Sequence, residues 1–140
     1  MPDVNVLVYA HRRDSERHAV SAQWLQQVVA SPQPFALSEL VLSGFIRVVT
    51  NRRIFPQAST TQEALAFVSE LVARPNARLV RPGERHFGLF LDLCKTGKLA
   101  AGLVADGYHA ALAIEHGCRF ITHDTDFARF SNLDWGFPGR

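Results

Sequence analysis

The chain holds only two cysteines, Cys94 and Cys118, in 140 residues. Too few for a disulfide scaffold and in no CxxC or Cys/His arrangement, they are expected to be reduced thiols partly buried against their neighbours. The six histidines show no HxH or HExxH spacing, so zinc chemistry lacks its ligand pattern. No GxSxG occurs, and a serine nucleophile on a strand-to-helix elbow finds no support. No apolar run approaches the length of a membrane span. An acid stands at position 3, where a signal peptide would carry positive charge, and a cytoplasmic location is expected. Internal repeats, low-complexity tracts and domain linkers are also missing.

What is present suits one domain over residues 1–140, since the chain is too short for two. Its 47% hydrophobic content is enough for a core, and 20% charged residues argue against disorder. The net charge of +2 is too small to demonstrate nucleic-acid binding. Its distribution is more informative. Arg12, Arg13, Arg47, Arg52 and Arg53 gather near the first two of the acids discussed below, as phosphate-binding groups or as a solvated basic face.

Strand and helix patterns alternate. A very short first strand ends at Asp3, and helical spacing follows in NVLVYAHR. Ser15 and Glu16 open a second helix, which the SPQP stretch at Ser31–Pro34 stops. Phe35–Leu37 form a strand, and Ser38 caps a helix to about Val49. Thr60 or Thr61 caps the next helix, and Ala77–Val80 form a strand. Helices then run from about Glu84 to Thr96, ending at Gly97, and from Ala105 to His116, with Gly117 as a left-handed cap. Cys118–Thr122 and Leu133–Trp135 complete the strands. This order predicts a parallel sheet covered on both faces, with ligands collecting at the carboxyl ends of the strands.

Asp3, Glu39, Asp106 and Asp124, with Asp126 close behind, lie where such a fold turns at its sheet edge. Each is embedded in an apolar or small-residue stretch. A lone carboxylate next to buried segments loses hydration. Two carboxylates about 4 Å apart repel by roughly 4 kcal/mol at an effective dielectric of about 20. A bound cation or a shifted pKa would make the group tolerable. Taken singly, each acid has an ordinary explanation. Asp3 and Glu39 suit helix starts, Asp106 is an N-terminal helix charge, and Asp124 with Asp126 suits a turn. His109, about one helical turn from Asp106, and His123, beside Asp124, stand near the same place.

The segments DVNVLVYA, SELVLSGFIRV, LVADGYHAALAIEHG and FITHDTDFARF, in this order and spacing, resemble the PIN-domain ribonucleases. They are most similar to the VapC-type toxins of bacterial toxin–antitoxin pairs. The resemblance implies a three-layer α/β/α sandwich with a short central parallel sheet. It implies Asp3, Asp106 and Asp124 as ligands of Mg²⁺ or Mn²⁺, with Asp126 as a further ligand or outer acceptor. Glu39 would join the catalytic set by holding a metal-bound water or a second ion. Asn5 and Thr122 would orient acids or substrate, and Arg12 and Arg13 would contact phosphates. The implied partners are RNA, a VapB-like antitoxin and a second copy of the chain, with no membrane.

Hard carboxylate oxygens suit Mg²⁺ and Mn²⁺ on chemical grounds alone. Two features depart from the family pattern. Only Met1 and Pro2 precede Asp3, and Pro2 removes a donor from an interior strand. Gly107 follows Asp106 where a better helix former is expected. The apolar Phe87, Leu89, Phe90, Leu91 and Leu93 exceed one buried helical stripe, so some are expected to face a partner. Two other functions compete: a catalytically inactive PIN-like binding module, and a phosphatase with Asp3 as covalent nucleophile. The latter needs an acid two residues on, where Asn5 stands.

Overall fold

Asp3 ends the first extended segment and begins the first helix. In the computed structural model, which describes residues 1–139, its side chain accepts from the Val4 amide and caps α1 (Val4–His11). There follow α2 (His18–Ala30), β1 (Phe35–Ser38), α3 (Glu39–Val49), α4 (Thr61–Val72) and β2 (Ala77–Val80). The chain continues through α5 (His86–Thr96), α6 (Gly102–Glu115), β3 (Phe120–Ile121), a 3₁₀ turn (Thr125–Arg129) and β4 (Trp135–Gly136). The alternating α/β order is the one expected. All strand pairs are parallel.

The sheet is divided. β1 pairs with β2, with Phe35 opposite Ala77 and Ser38 opposite Val80. β3 pairs with β4. The N-terminal segment joins the second pair through a parallel bridge between Pro2 and Ile121. Its bonds run from Ile121 N to Met1 O (2.9 Å) and from Asp3 N to Ile121 O (2.8 Å). The residues on either side of Pro2 make these bonds, so the missing proline donor costs nothing on this edge. The Met1 ammonium donates to Arg119 O at 2.7 Å. Between the half-sheets opens a cavity of about 570 Å³, lined by Met1, Phe35, Ala36, Val80, Cys118 and Ile121 among others. None of the candidate acids lines it.

Two apolar clusters hold these pieces. One gathers Leu7, Leu37, Val41, Phe45 and Val49 from α1, β1 and α3. The other gathers Met1, Leu112, Phe120, Phe127 and Phe130 around α6 and β3. Each fully buried large side chain is worth about 1.5–3 kcal/mol in transfer free energy. Gly44 permits the close crossing of α1 and α3, because a Cβ there would lie 2.9 Å from Val4 Cγ2. Gly107 has a similar purpose. A Cβ there would meet Leu99 Cδ1 at 2.5 Å, so the glycine trades helix propensity for the seat of Leu99 against α6.

Several boundaries differ from expectation. The second helix begins at His18 because the Ser15 hydroxyl accepts from Arg17 N and closes a turn instead of capping a helix. Thr60 is the cap of α4 and forms a reciprocal capping box with Glu63. Gly117 is left-handed (φ 61°) as expected. On α5, Phe87 is 64% exposed and Leu91 40%, which leaves both apolar groups available to a partner.

Ala101 precedes α6 with φ 51° and ψ −126°, a conformation that glycine adopts without a Cβ clash. Such strain costs on the order of 1–3 kcal/mol, partly offset on substitution by glycine's extra freedom in the unfolded chain. Ala101→Gly is therefore expected to raise the melting temperature by a few degrees in calorimetry; a fall would show that the position is unstrained.

Candidate active site

Three local structures deliver the acids. The Pro2–Ile121 bridge leaves Asp3 at the end of an extended segment, where it turns into α1. Helix α6 carries Asp106. Past β3 the chain enters the 3₁₀ turn, capped by Asp124, whose Oδ1 accepts from Asp126 N at 2.8 Å.

Asp3 is buried and closely held. Its Oδ1 accepts from Val4 N (2.6 Å), and its Oδ2 accepts from Asn5 Nδ2 (2.7 Å) and Thr122 Oγ1 (2.7 Å). Thr122, fully buried, spends its single hydroxyl proton on Asp3 and accepts from Asp124 N and Asn5 Nδ2, both at 3.0 Å. Asn5 completes the frame, its Oδ1 accepting from His123 N at 3.1 Å. Burial pushes the Asp3 carboxyl above the ordinary aspartate range, against the pull of Thr122, His109 and the Val4 amide.

Asp106 senses the others. Its pKa is raised to about 6, first by burial and then by the charges of Asp124, Asp3 and Asp126, with Arg129 opposing. Four carboxylates therefore share one electrostatic neighbourhood. His109, on the same helix, is half-buried and held below the usual histidine range by desolvation, while Asp3 pulls the other way. Its Nδ1 is buried without a hydrogen-bond partner.

These residues fit a hard dication by charge and by donor type. The oxygens of Asp3, Asp106, Asp124 and Asp126 are the ligands Mg²⁺ and Mn²⁺ prefer, and like-charge crowding at Asp106 is the penalty a cation would remove. Among the described residues no three His, Cys, Asp or Glu side chains close on a single point.

Glu39 lies apart. Its carboxylate accepts from Arg81 Nη2 at 2.6 Å, and this guanidinium holds it below the ordinary glutamate range. It is not among the charges that act on Asp106. Arg12 also departs from the phosphate-binding role expected of it. The side chain is buried, donates through Nε to Asp14 Oδ1 (2.9 Å) and through Nη1 to Gln57 O (2.7 Å), and lies over Phe55 at 4.2 Å. Those bonds occupy it in tying the end of α1 to the loop after α3. Arg13 is exposed, with no ion-pair partner among the described residues.

Two neighbours escaped sequence reasoning. Arg129, three residues past Asp126, donates to Asp126 O at 3.0 Å, and that spacing within a helical turn was a usable signal. Arg17, hydrogen-bonded to His123 at 3.0 Å, is 106 positions away from it, and no local pattern announces the contact.

Asp3 and Asp124 follow extended segments of parallel-paired backbone, and helix α6 brings Asp106 into the same electrostatic neighbourhood, within an α/β fold of the PIN type. The PIN domain family model matches residues 1–133. The chain is 43% identical over 136 residues to VapC ribonuclease Mb2897 of Mycobacterium bovis, covering 97% of this chain and 92% of that protein. It is 39% identical over 131 residues to ribonuclease VapC31 of Mycobacterium tuberculosis, covering 94% and 92%. The fold matches the structure of VapBC2 from Rickettsia felis bound to a promoter DNA fragment, with TM-score 0.72 at 17% identity, covering 98% of this chain and 96% of that one. VapBC-1 from nontypeable Haemophilus influenzae gives 0.70 at 17% identity, covering 100% and 98%. The chain belongs to the VapC ribonucleases of the PIN-domain family.

Two outcomes follow from the frame around Asp3 and the charge at Asp106. Thr122→Val removes the hydroxyl that orients Asp3 and is expected to lower Mn²⁺ affinity in calorimetric titration by about 10–100-fold, with Thr122→Ser restoring most of it. For Asp106, a folded-state pKa of about 6 lies above the ordinary aspartate value of 3.8. Its stabilising contribution is therefore complete below about pH 3.8 and is lost as pH rises through about 6. In chelator, Asp106→Asn is expected to raise the melting temperature at pH 8 and to leave it little changed near pH 4. An equal effect at both pH values would contradict the crowding.

Proposed function

We propose that the chain is a Mg²⁺- or Mn²⁺-dependent endoribonuclease, the toxin of a VapBC-like pair, in which Asp3, Asp106, Asp124 and Asp126 hold the metal. The observation that carries this reading is the effect of three other carboxylates on Asp106, opposed only in part by Arg129, which pairs with Asp126. A bound divalent ion would supply an activated water near neutral pH and stabilise charge on the phosphate.

The protein's own groups do the rest. The Thr122 hydroxyl, Asn5 amide and Val4 amide hold Asp3 in one orientation. The Asp126 amide fixes the Asp124 carboxylate at the head of its turn. Near neutral pH Asp106 sits just above its own titration point of about 6, so it is mostly ionised and ready to bind a cation. Glu39 would join the catalytic set by exchanging its Arg81 partner for the acid cluster. Arg13 stands on the surface as a phosphate contact.

An antitoxin of the VapB kind is the proposed protein partner, since the solved structures that share the fold are VapBC assemblies. An arginine or lysine from its tail, entering the acid cluster, would compete with the metal for the same charge. The exposed Phe87 and Leu91 of α5 offer an apolar face for that partner or for a second copy. A phosphatase with Asp3 as nucleophile gains nothing from the site. Both Asp3 oxygens accept hydrogen bonds, and the position two residues on holds Asn5, whose amide donates to Asp3.

The test is cleavage of RNA in Mg²⁺ or Mn²⁺ by wild type and by Asp3→Asn, Asp106→Asn and Asp124→Asn. The account expects chelator-sensitive cleavage by the wild type and a loss of at least about 100-fold in each variant, the scale on which removal of a metal ligand or its support acts. Undiminished cleavage by all three variants would sink it.

A further inference from the structure

Beside the acid cluster lies a second built feature that the metal chemistry does not use. A cavity of about 340 Å³ is lined by Arg17, Val20, His123, Phe137 and Pro138. Its polar wall is ordered. Arg17 Nη1 donates to His123 Nδ1 at 3.0 Å, so that nitrogen carries the lone pair. The proton of the neutral ring then sits on Nε2 and is donated to Ser21 Oγ at 2.8 Å. Ser21 is fully buried, and Tyr9 meets the imidazole edge-on at 5.3 Å. The ring is thereby held by two hydrogen bonds and an aromatic edge, and Arg17 is held by the ring.

The Arg17 guanidinium has no counter-ion among the described residues; its contacts are the neutral imidazole and the Tyr9 ring, whose centroid lies 5.9 Å from its Cζ. Arg129, the arginine whose charge acts on Asp106, is otherwise committed to Asp126. One donor of Arg17 is spent on His123, which leaves the others for an anion, and guanidinium matches phosphate geometry better than any other side chain.

The cavity adjoins the acids through the backbone. His123 precedes Asp124, and its amide donates to Asn5 Oδ1, while the Asn5 amide group donates to Asp3 Oδ2 at 2.7 Å. Arg17, His123, Asn5 and Asp3 form one continuous chain of contacts.

We propose that this cavity is a subsite for one nucleotide flanking the scissile bond, with Arg17 on its phosphate and the Phe137–Pro138 wall against its base. The proposal rests on the ribonuclease reading and adds a substrate-binding role that the acids cannot supply. A pocket of carboxylates repels the RNA backbone, so an uncompensated cation must lie alongside it. Ser21 is a positioning residue: it holds the His123 ring that holds Arg17, and it does not line the cavity.

The experiment is steady-state cleavage of a labelled mixed-sequence single-stranded RNA in Mn²⁺ by wild type, Arg17→Ala, Ser21→Ala, the double variant and Arg78→Ala. Arg78 donates only to the carbonyls of Pro75 and Ala77 and lines no part of this cavity, so it controls for loss of one positive charge. Arg17→Ala is expected to raise KM about five- to tenfold with little change in kcat. It should also flatten the dependence of log kcat/KM on log salt by about 0.7, the contribution of one single-strand phosphate. Ser21→Ala is expected to raise KM in the wild-type background and to add nothing to Arg17→Ala, the coupling that shared positioning requires. Arg17→Ala kinetics equal to those of Arg78→Ala would overturn the subsite and leave Arg17 to an acidic protein partner. Ser21→Ala raising KM equally in both backgrounds would overturn the positioning chain. Wild-type protein that leaves the RNA intact would overturn the ribonuclease reading itself, a failure distinct from the other two.

Discussion

The parallel pairing of the N-terminal segment with Ile121 is the constraint on which everything near the acids depends. Two backbone hydrogen bonds, Ile121 N to Met1 O and Asp3 N to Ile121 O, fix where Asp3 stands. The residue that follows, Thr122, then reaches its carboxylate directly. One ladder thus sets the position of Asp3 and the group that orients it. Because Asp124 and its turn follow immediately, the ladder also positions the second acid, through the bond from Asp124 N to Thr122 Oγ1. A slip of one residue would turn Asp3 and Thr122 to opposite faces. Nothing on the β1 side would compensate, since the sheet is divided there.

The free energy of the fold and the needs of the site pull in opposite directions. Apolar clusters around Phe45 and Phe120 drive the helices onto the strands. That packing carries Asp3 out of water and brings Asp106 into the field of three other acids. Hydrogen bonds from Thr122, Asn5 and Val4 hold Asp3 in place against the burial that disfavours its charge, whereas Asp106 has no comparable donor among the described residues and is disfavoured by burial and by the neighbouring acids together. The asymmetry assigns roles. In the proposed metal site Asp3 would be preset, and Asp106 would be the acid whose charge state responds most to a cation.

Much of this was legible in the chain because it is local. The caps at Ser38 and Thr60, the glycine at 117 and the helix carrying Asp106 follow from spacing and residue type. The order of acids along the α/β pattern pointed to their common end. What could not be read rests on long-range partners. Arg12 looked like a phosphate contact until Asp14, Gln57 and Phe55 enclosed it. Glu39 meets Arg81 across 42 positions, and Arg17 meets His123 across 106. Gly107 read as a flaw in a helix, because the close approach of Leu99 that explains it is a feature of packing.

The central claim is that four carboxylates act as one charge trap that a dication relieves. Its most direct measurement is the proton balance of Mg²⁺ or Mn²⁺ binding, by titration calorimetry in buffers of different ionisation enthalpy. With Asp106 titrating at about 6, that acid should contribute close to half a proton to the release at pH 6 and almost none at pH 8, where it is already ionised, so the release should fall between the two. Release that does not change between the two pH values, or no heat of binding at either, would contradict the account.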